Sequence, residues 1–161
     1  MSASPSPMQE KSAPFKIAII GAGFAGICMG IRLKQAGIDD FVIYERANDL
    51  GGTWRDNTYP GSACDVPSHL YSFSFNLKKD WPRVYSSWEE IQGYLHCCAD
   101  KYGLRPCLRL GTAVADAAYD ESRGLWEIRL ESGEMLLARA LVSGLGQLND
   151  IFTHLYQLLM R

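Results

Sequence analysis

Gly21-Ala22-Gly23-Phe24-Ala25-Gly26 is the stretch that decides the fold. Immediately before it, Phe15-Lys16-Ile17-Ala18-Ile19-Ile20 is a short, mostly apolar run bounded by Pro14. Such a run predicts a buried parallel strand. Immediately after it, residues 24–36 carry apolar side chains at helical spacing, Ile27, Ile31 and Leu33 among them. Gly37 then stands where a helix ends in a left-handed residue. A lone G-x-G-x-x-G carries little information, but one that leaves a strand and opens a helix has the context a dinucleotide needs. Gly21 permits the tight turn, Gly23 lets a pyrophosphate approach the backbone, and Gly26 lets helix and strand pack closely. Gly30, one turn on, extends that close packing. The helix start offers N–H groups and a positive dipole end to the phosphates.

Phe41 to Tyr44 is a second apolar strand, so the three elements form a right-handed βαβ unit. Glu45 closes that strand. A carboxylate there can accept both hydroxyls of an adenosine ribose, and it repels a 2′-phosphate. The alternative is a glycine-rich turn beside a surface Glu, which requires spacing, strand context and acid to coincide by chance.

Further out, residues 48–87 are dense in Gly, Pro, Asn, Asp, Ser and aromatics. A loop this long inside a domain is functional or disordered. Trp54, Tyr59, Tyr71, Phe73, Phe75 and Trp81 argue for an ordered excursion over a ligand. Ser87 with Glu90 forms a capping box, predicting a helix from Trp88 to about Tyr102, ended by Gly103. Cys107 to Leu110 reads as a third parallel strand. Segments near 112–119, 125–131 and 134–139 alternate, with turn signals between them, and read as an antiparallel meander. Leu141 to Leu145 reads as a last, separate apolar strand.

The bulk composition excludes several classes. The chain has 161 residues and a net charge of -2, so no basic excess points to nucleic acid or an anionic membrane. Five cysteines without C-x-x-C spacing predict no disulfide framework and a reducing, cytoplasmic setting. The three histidines show no metal spacing with the cysteines. Ile17 to Ile31 lacks charges, yet it is shorter than the roughly 20 residues a transmembrane helix needs and carries Gly21, Gly23, Gly26 and Gly30. No transmembrane segment is expected. Residues 1–14, rich in Ser and Pro, read as a disordered tail and not as a signal peptide.

Two features favour FAD over NAD. A glycine pair, Gly51-Gly52, follows the acid, and this resembles the second fingerprint of glutathione-reductase-like FAD proteins. A three-stranded meander is the usual crossover of that group.

Gly51-Gly52-Thr53-Trp54, Tyr59-Pro60-Gly61, Cys64-Asp65 and Tyr71-Ser72-Phe73-Ser74-Phe75 follow one another in the order G-G-T-W, Y-P-G, C-D and Y-x-F/Y-S-F. In this the chain resembles the flavin-dependent Baeyer–Villiger monooxygenases. The resemblance runs from about Phe15 to Asn149. It implies an α/β, Rossmann-like FAD-binding three-layer fold: a parallel sheet with helices and the antiparallel meander crossover. It also implies roles. Gly21, Gly23, Ala25 and Gly26 hold the FAD pyrophosphate. Glu45 binds the adenosine ribose. Gly52, Thr53 and Trp54 run along the ribityl and flavin side. Asp65 matches an acid near the flavin that in the family meets an active-site Arg and the nicotinamide; it is the one catalytic candidate and also counts among the cofactor-binding residues. Tyr71 matches a flavin contact, and Val114 a backbone contact to adenine. Each has a plainer alternative: Trp54 and Tyr71 as core aromatics, Asp65 as a turn cap, Cys64 and His69 as buried or loop residues without chemistry.

The reaction implied is family-wide: NADPH reduces FAD, and one oxygen atom of O2 is inserted beside a ketone carbonyl. A small-molecule ketone is the partner implied. N- or S-oxygenating flavin monooxygenases share the first fingerprint, but the Cys64-Asp65 loop disfavours them. A second G-x-G-x-x-G for NADPH and the motif F-x-G-x-x-x-H-x-x-x-W/P do not occur in the chain. After Asn149 the resemblance stops, and residues 150–161 have a helix-like character of their own. The expectation is therefore a partial FAD-binding domain over 15–149, apparently truncated, with exposed apolar surface that favours self-association. A non-catalytic FAD-binding or interaction fragment is the remaining alternative.

Overall fold

The computed structural model describes residues 15–146. The expected tail over 1–14, the residues Gln147 to Asn149 and the helix-like segment 150–161 lie outside the described residues. The elements run β1 (Phe15–Ile20), α1 (Phe24–Gln35), β2 (Phe41–Tyr44), α2 (Thr53–Asp56), α3 (Trp88–Lys101), β3 (Leu108–Arg109), β4 (Val114–Asp120), β5 (Leu125–Leu130) and β6 (Met135–Ser143). One six-stranded sheet has the order β3-β2-β1-β6-β5-β4. In it β1 runs parallel to β2 and β6, and β2 parallel to β3, whereas β4–β5 and β5–β6 are antiparallel.

The central strands are buried on both faces, which is why they read as unbroken apolar runs. Alternation divides their side chains between two cores. Ile19, Phe41 and Ile43 point to one side and pack with Ile27 and Ile31 of α1 and Leu95 and Cys98 of α3. Ala18, Val42 and Tyr44 point to the other and pack with Ala117, Ile128, Leu130, Leu136 and Ala138. Helices thus cover one face and the meander covers the other, as the three-layer expectation requires. The stretch from Ile17 to Ile31 is split into strand, glycine turn and helix. No helix among the described residues is long and apolar enough to cross a membrane.

Both long helices stop the same way. The Gly37 N–H donates to the Lys34 carbonyl and the Ile38 N–H to the Leu33 carbonyl, with φ +71 at Gly37. The Gly103 and Leu104 N–H groups do the same to Asp100 and Ala99. These are Schellman closures, and both need the left-handed glycine. At the other end of α3, the Ser87 N–H donates to Glu90 Oε2 at 3.2 Å, as the expected capping box requires.

Two expectations are corrected. The meander's third segment and the separate strand from Leu141 are one nine-residue strand, Met135–Ser143. No turn residue interrupts Ala138-Arg139-Ala140, so the chain stays extended while it changes partners. Ala138 pairs with Trp126 of β5 on one side and Phe15 of β1 on the other. The third parallel strand is also shorter than Cys107–Leu110. Pro106 draws Arg105–Cys107 into a 3-10 turn, leaving Leu108–Arg109 to pair with Ile43 and Tyr44.

Candidate functional site

The carboxyl ends of β1, β2, β3 and β6 converge, and backbone hydrogen bonds tie the loops that leave them. Gly21 N–H donates to the Tyr44 carbonyl at 2.7 Å, and Gly144 N–H to the Ile20 carbonyl at 2.7 Å. Thr112 N–H donates to the Glu45 carbonyl at 2.8 Å, two residues before Val114 begins β4. From β1 the chain proceeds to β2 and β3 on one side and later returns to β6 on the other. This is a topological switch point, where open α/β sheets bind ligands.

The glycines there are demanded by space. A Cβ on Gly26 would lie 1.9 Å from the Gly21 carbonyl oxygen, and one on Gly21 would lie 2.6 Å from that of Gly144. A Cβ on Gly30 would meet Ile43 Cδ1 at 2.8 Å. Gly23 is the N-cap of α1, whose first turn has neither a side-chain cap nor an acid. Gly52, at φ +55, faces it: a Cβ on Gly52 would lie 3.2 Å from Gly23 Cα. Gly51 N–H donates to the Ala22 carbonyl at 2.9 Å. The two glycine motifs therefore form one bare backbone cradle at a positive helix end, where Gly21, Gly26 and Gly52 leave no space for a side chain and Gly23 keeps its backbone uncovered.

Glu45 lies at the edge of the cradle and is buried. Its Oε2 accepts the Ala22 N–H at 2.8 Å, and its Oε1 accepts the Ala47 N–H at 3.0 Å. Arg55 Nη1 approaches Oε1 at 3.1 Å. On the far side of the cradle, Trp54 Nε1 donates to the Tyr71 hydroxyl at 3.2 Å. Phe24, the first residue of α1, meets the Tyr71 ring edge-on at 5.0 Å. Burial is the main cause that raises the Tyr71 pKa, and the charge of Asp65 nearby adds to it. Asp65 itself is exposed, while its neighbour Cys64 is buried and its thiol pKa is pushed up by that burial.

Comparison with known proteins agrees with this geometry. Residues 19–88 match the family model of an NAD(P)-binding Rossmann-like domain. A Baeyer-Villiger monooxygenase from Streptomyces coelicolor is 51% identical over 135 residues, covering 84% of this chain and 26% of the relative. An FAD-binding monooxygenase from Emericella nidulans is 40% identical over 124 residues, covering 76% of this chain and 21% of its own length. The crystal structure of cyclohexanone monooxygenase from Rhodococcus sp. Phi1 bound to NADP+ superposes with a TM-score of 0.80 at 36% identity, over 88% of this chain and 28% of that one. Over the matched residues this chain is homologous to proteins named Baeyer–Villiger monooxygenases and shares their fold. It spans about a quarter of the length of these family members.

Within the matched portion, the candidate residues fall into three places. Gly21, Gly23, Ala25, Gly26 and Gly52 share the cradle. Glu45 and Val114 flank it on the side of β2 and β4. Thr53 and Trp54 open α2 on the opposite side, where Trp54 contacts Tyr71. Three contributors escaped sequence reasoning: Arg55, the Ala22 N–H and Gly144. Arg55 follows Trp54 directly, but nothing in spacing announces that its side chain folds back to Glu45.

Proposed function

We propose that this chain is the FAD-binding portion of an NADPH-dependent flavin monooxygenase that inserts one oxygen atom of O2 beside a ketone carbonyl. The observation that carries it is the Gly23–Gly52 apposition at the uncapped start of α1, beside a buried acid at the end of β2. A pyrophosphate needs bare backbone, a dipole end and a ribose-binding carboxylate within one reach.

On this reading Gly21, Gly23, Ala25 and Gly26 hold the pyrophosphate of FAD. Glu45 receives the adenosine ribose, and the Val114 backbone meets the adenine. Gly52, Thr53 and Trp54 follow the ribityl chain, and Tyr71 borders the flavin. Asp65, exposed beside Tyr71, presents a carboxylate on the flavin side. FAD, when bound, supplies the redox and oxygen-transfer chemistry, and the protein supplies orientation and electrostatics. The chain's own part is to bind the pyrophosphate, fix the ribose and wall off one flavin face with the Phe24–Trp54–Tyr71 cluster. One glycine cradle is assigned to FAD, and NADPH, which the family uses, is assigned to no residue of this chain.

The reducing setting that suits five free cysteines fits a cytoplasmic protein. Tyr59, Leu70, Val84 and Tyr85 in the 57–87 loop are more than half exposed, and we expect them to promote self-association. Light scattering across a concentration series checks this, and a monomer at every concentration opposes it. For the main reading, the purified chain is mixed with FAD, freed of excess, and examined by flavin absorbance. Bound flavin that NADPH does not bleach is expected of an FAD-binding portion. NADPH-driven lactone formation from a cyclic ketone by this chain alone would show that it needs no further part.

A further inference from the structure

Arg55 stands one residue beyond Trp54 in α2, yet its guanidinium reaches back to the acid at the end of β2. Its Nε and Nη2 donate to Asp56 Oδ1 and Oδ2 at 2.6 and 2.7 Å, a fork-to-fork pair. Its Nη1 donates to the Asp49 carbonyl at 2.7 Å. The side chain is 13% exposed. Its stem is also fitted, since a Cβ on Gly51 would lie 3.1 Å from the Arg55 Cβ. The guanidinium is thus held by three hydrogen bonds that do not involve Glu45.

That fixed cation reaches Glu45 Oε1 at 3.1 Å, and the Ala47 N–H reaches the same oxygen at 3.0 Å. A carboxylate offers about four lone-pair sites, two on each oxygen. Oε1 is therefore filled. Oε2 accepts the Ala22 N–H from the glycine loop and keeps one further acceptor site. We infer that Arg55 is a positioning residue for the nucleotide: by filling Oε1 it fixes the Glu45 carboxylate so that Oε2 is the acceptor for a ribose hydroxyl. This rests on the FAD reading above and sharpens it, because the acid then offers one oxygen to the ribose rather than two. A lysine in place of Arg55 would be a point charge, without the fork that locks Asp56 and the Asp49 carbonyl at once.

The test uses the full chain with ADP and 2′,3′-dideoxy-ADP in calorimetry, alongside FAD retention and thermal unfolding. The unaltered chain is expected to prefer ADP by about tenfold, the worth of a hydrogen bond to a charged group. Arg55→Met is expected to bring that ratio close to one while dideoxy-ADP affinity stays within about twofold. Arg55→Lys is expected to fall between the two, and it carries the test if the Met variant does not fold. A ratio that is unchanged in the variants, or an equal loss for both nucleotides, overturns the positioning role and leaves FAD binding standing. An unaltered chain that retains neither FAD nor ADP overturns both.

Discussion

On the proposed reading, Glu45 serves structure and ligand together. Its carboxylate takes N–H groups from Ala22 in the glycine loop and from Ala47, and a cation from Arg55. Glu45→Ala is expected to weaken FAD retention far more than His69→Ala, since His69 is exposed in the loop. It is also expected to cost roughly 1–3 kcal/mol of stability, because it strands the Ala22 N–H and removes one of the partners of Arg55. Urea unfolding and flavin absorbance read the two effects separately. The position of this acid was legible from its place after the second strand. Its three protein partners were not, because they depend on loops that meet only in the fold. Tyr44, next to Glu45, carries a second residue-scale prediction. Burial, more than the nearby Glu134, pushes its pKa up to about 12. The unfolded chain releases this proton near pH 10 and the folded chain holds it longer, so stability is full below about pH 10 and falls between about 10 and 12. The melting temperature should therefore drop over that window, with a shallower slope in Tyr44→Phe.

At the scale of elements, glycine positions separate by what a methyl group would meet. In Gly26→Ala the new Cβ faces the Gly21 carbonyl at 1.9 Å, and backbone must move. A loss of about 3 kcal/mol or more is expected, along with FAD binding. In Gly30→Ala the obstacle is the end of the Ile43 side chain, at 2.8 Å, so a smaller loss is expected. Gly93, exposed in the middle of α3, has nothing within 4 Å. Gly93→Ala should raise stability by about 0.5–1 kcal/mol, since it only removes the entropic penalty of a helical glycine. Chemical denaturation of the three variants checks the order. Element types were readable because Pro14, Gly21, Gly37, Ser87 and Gly103 mark ends by backbone chemistry. The fused β6 was not readable, because a strand that trades one neighbour for another at Ala138 needs no marker residue.

At the scale of the molecule, the strand order puts the glycine loop, the acid and the returning end of β6 at one edge of the sheet. The long loop then lays Gly51 and Gly52 over that edge and carries Trp54 and Tyr71 beyond it. The site's nucleotide half was legible because it is built from backbone and short spacings. The half proposed to border the flavin was reached only through resemblance, since the Trp54–Tyr71 contact spans 17 residues of loop without periodicity. Asp65 sits exposed at that half, and Asp65→Ala is expected to leave FAD retention unchanged. The central claim is that the chain binds FAD through the Gly23–Gly52 cradle, and the most direct measurement is a titration of FAD against the unaltered chain and Gly23→Val, followed by flavin fluorescence. Saturable quenching by the unaltered chain, with loss of at least about tenfold in affinity for Gly23→Val at equal helix content, is expected. Equal binding by the two proteins, or none by the unaltered chain, would contradict it.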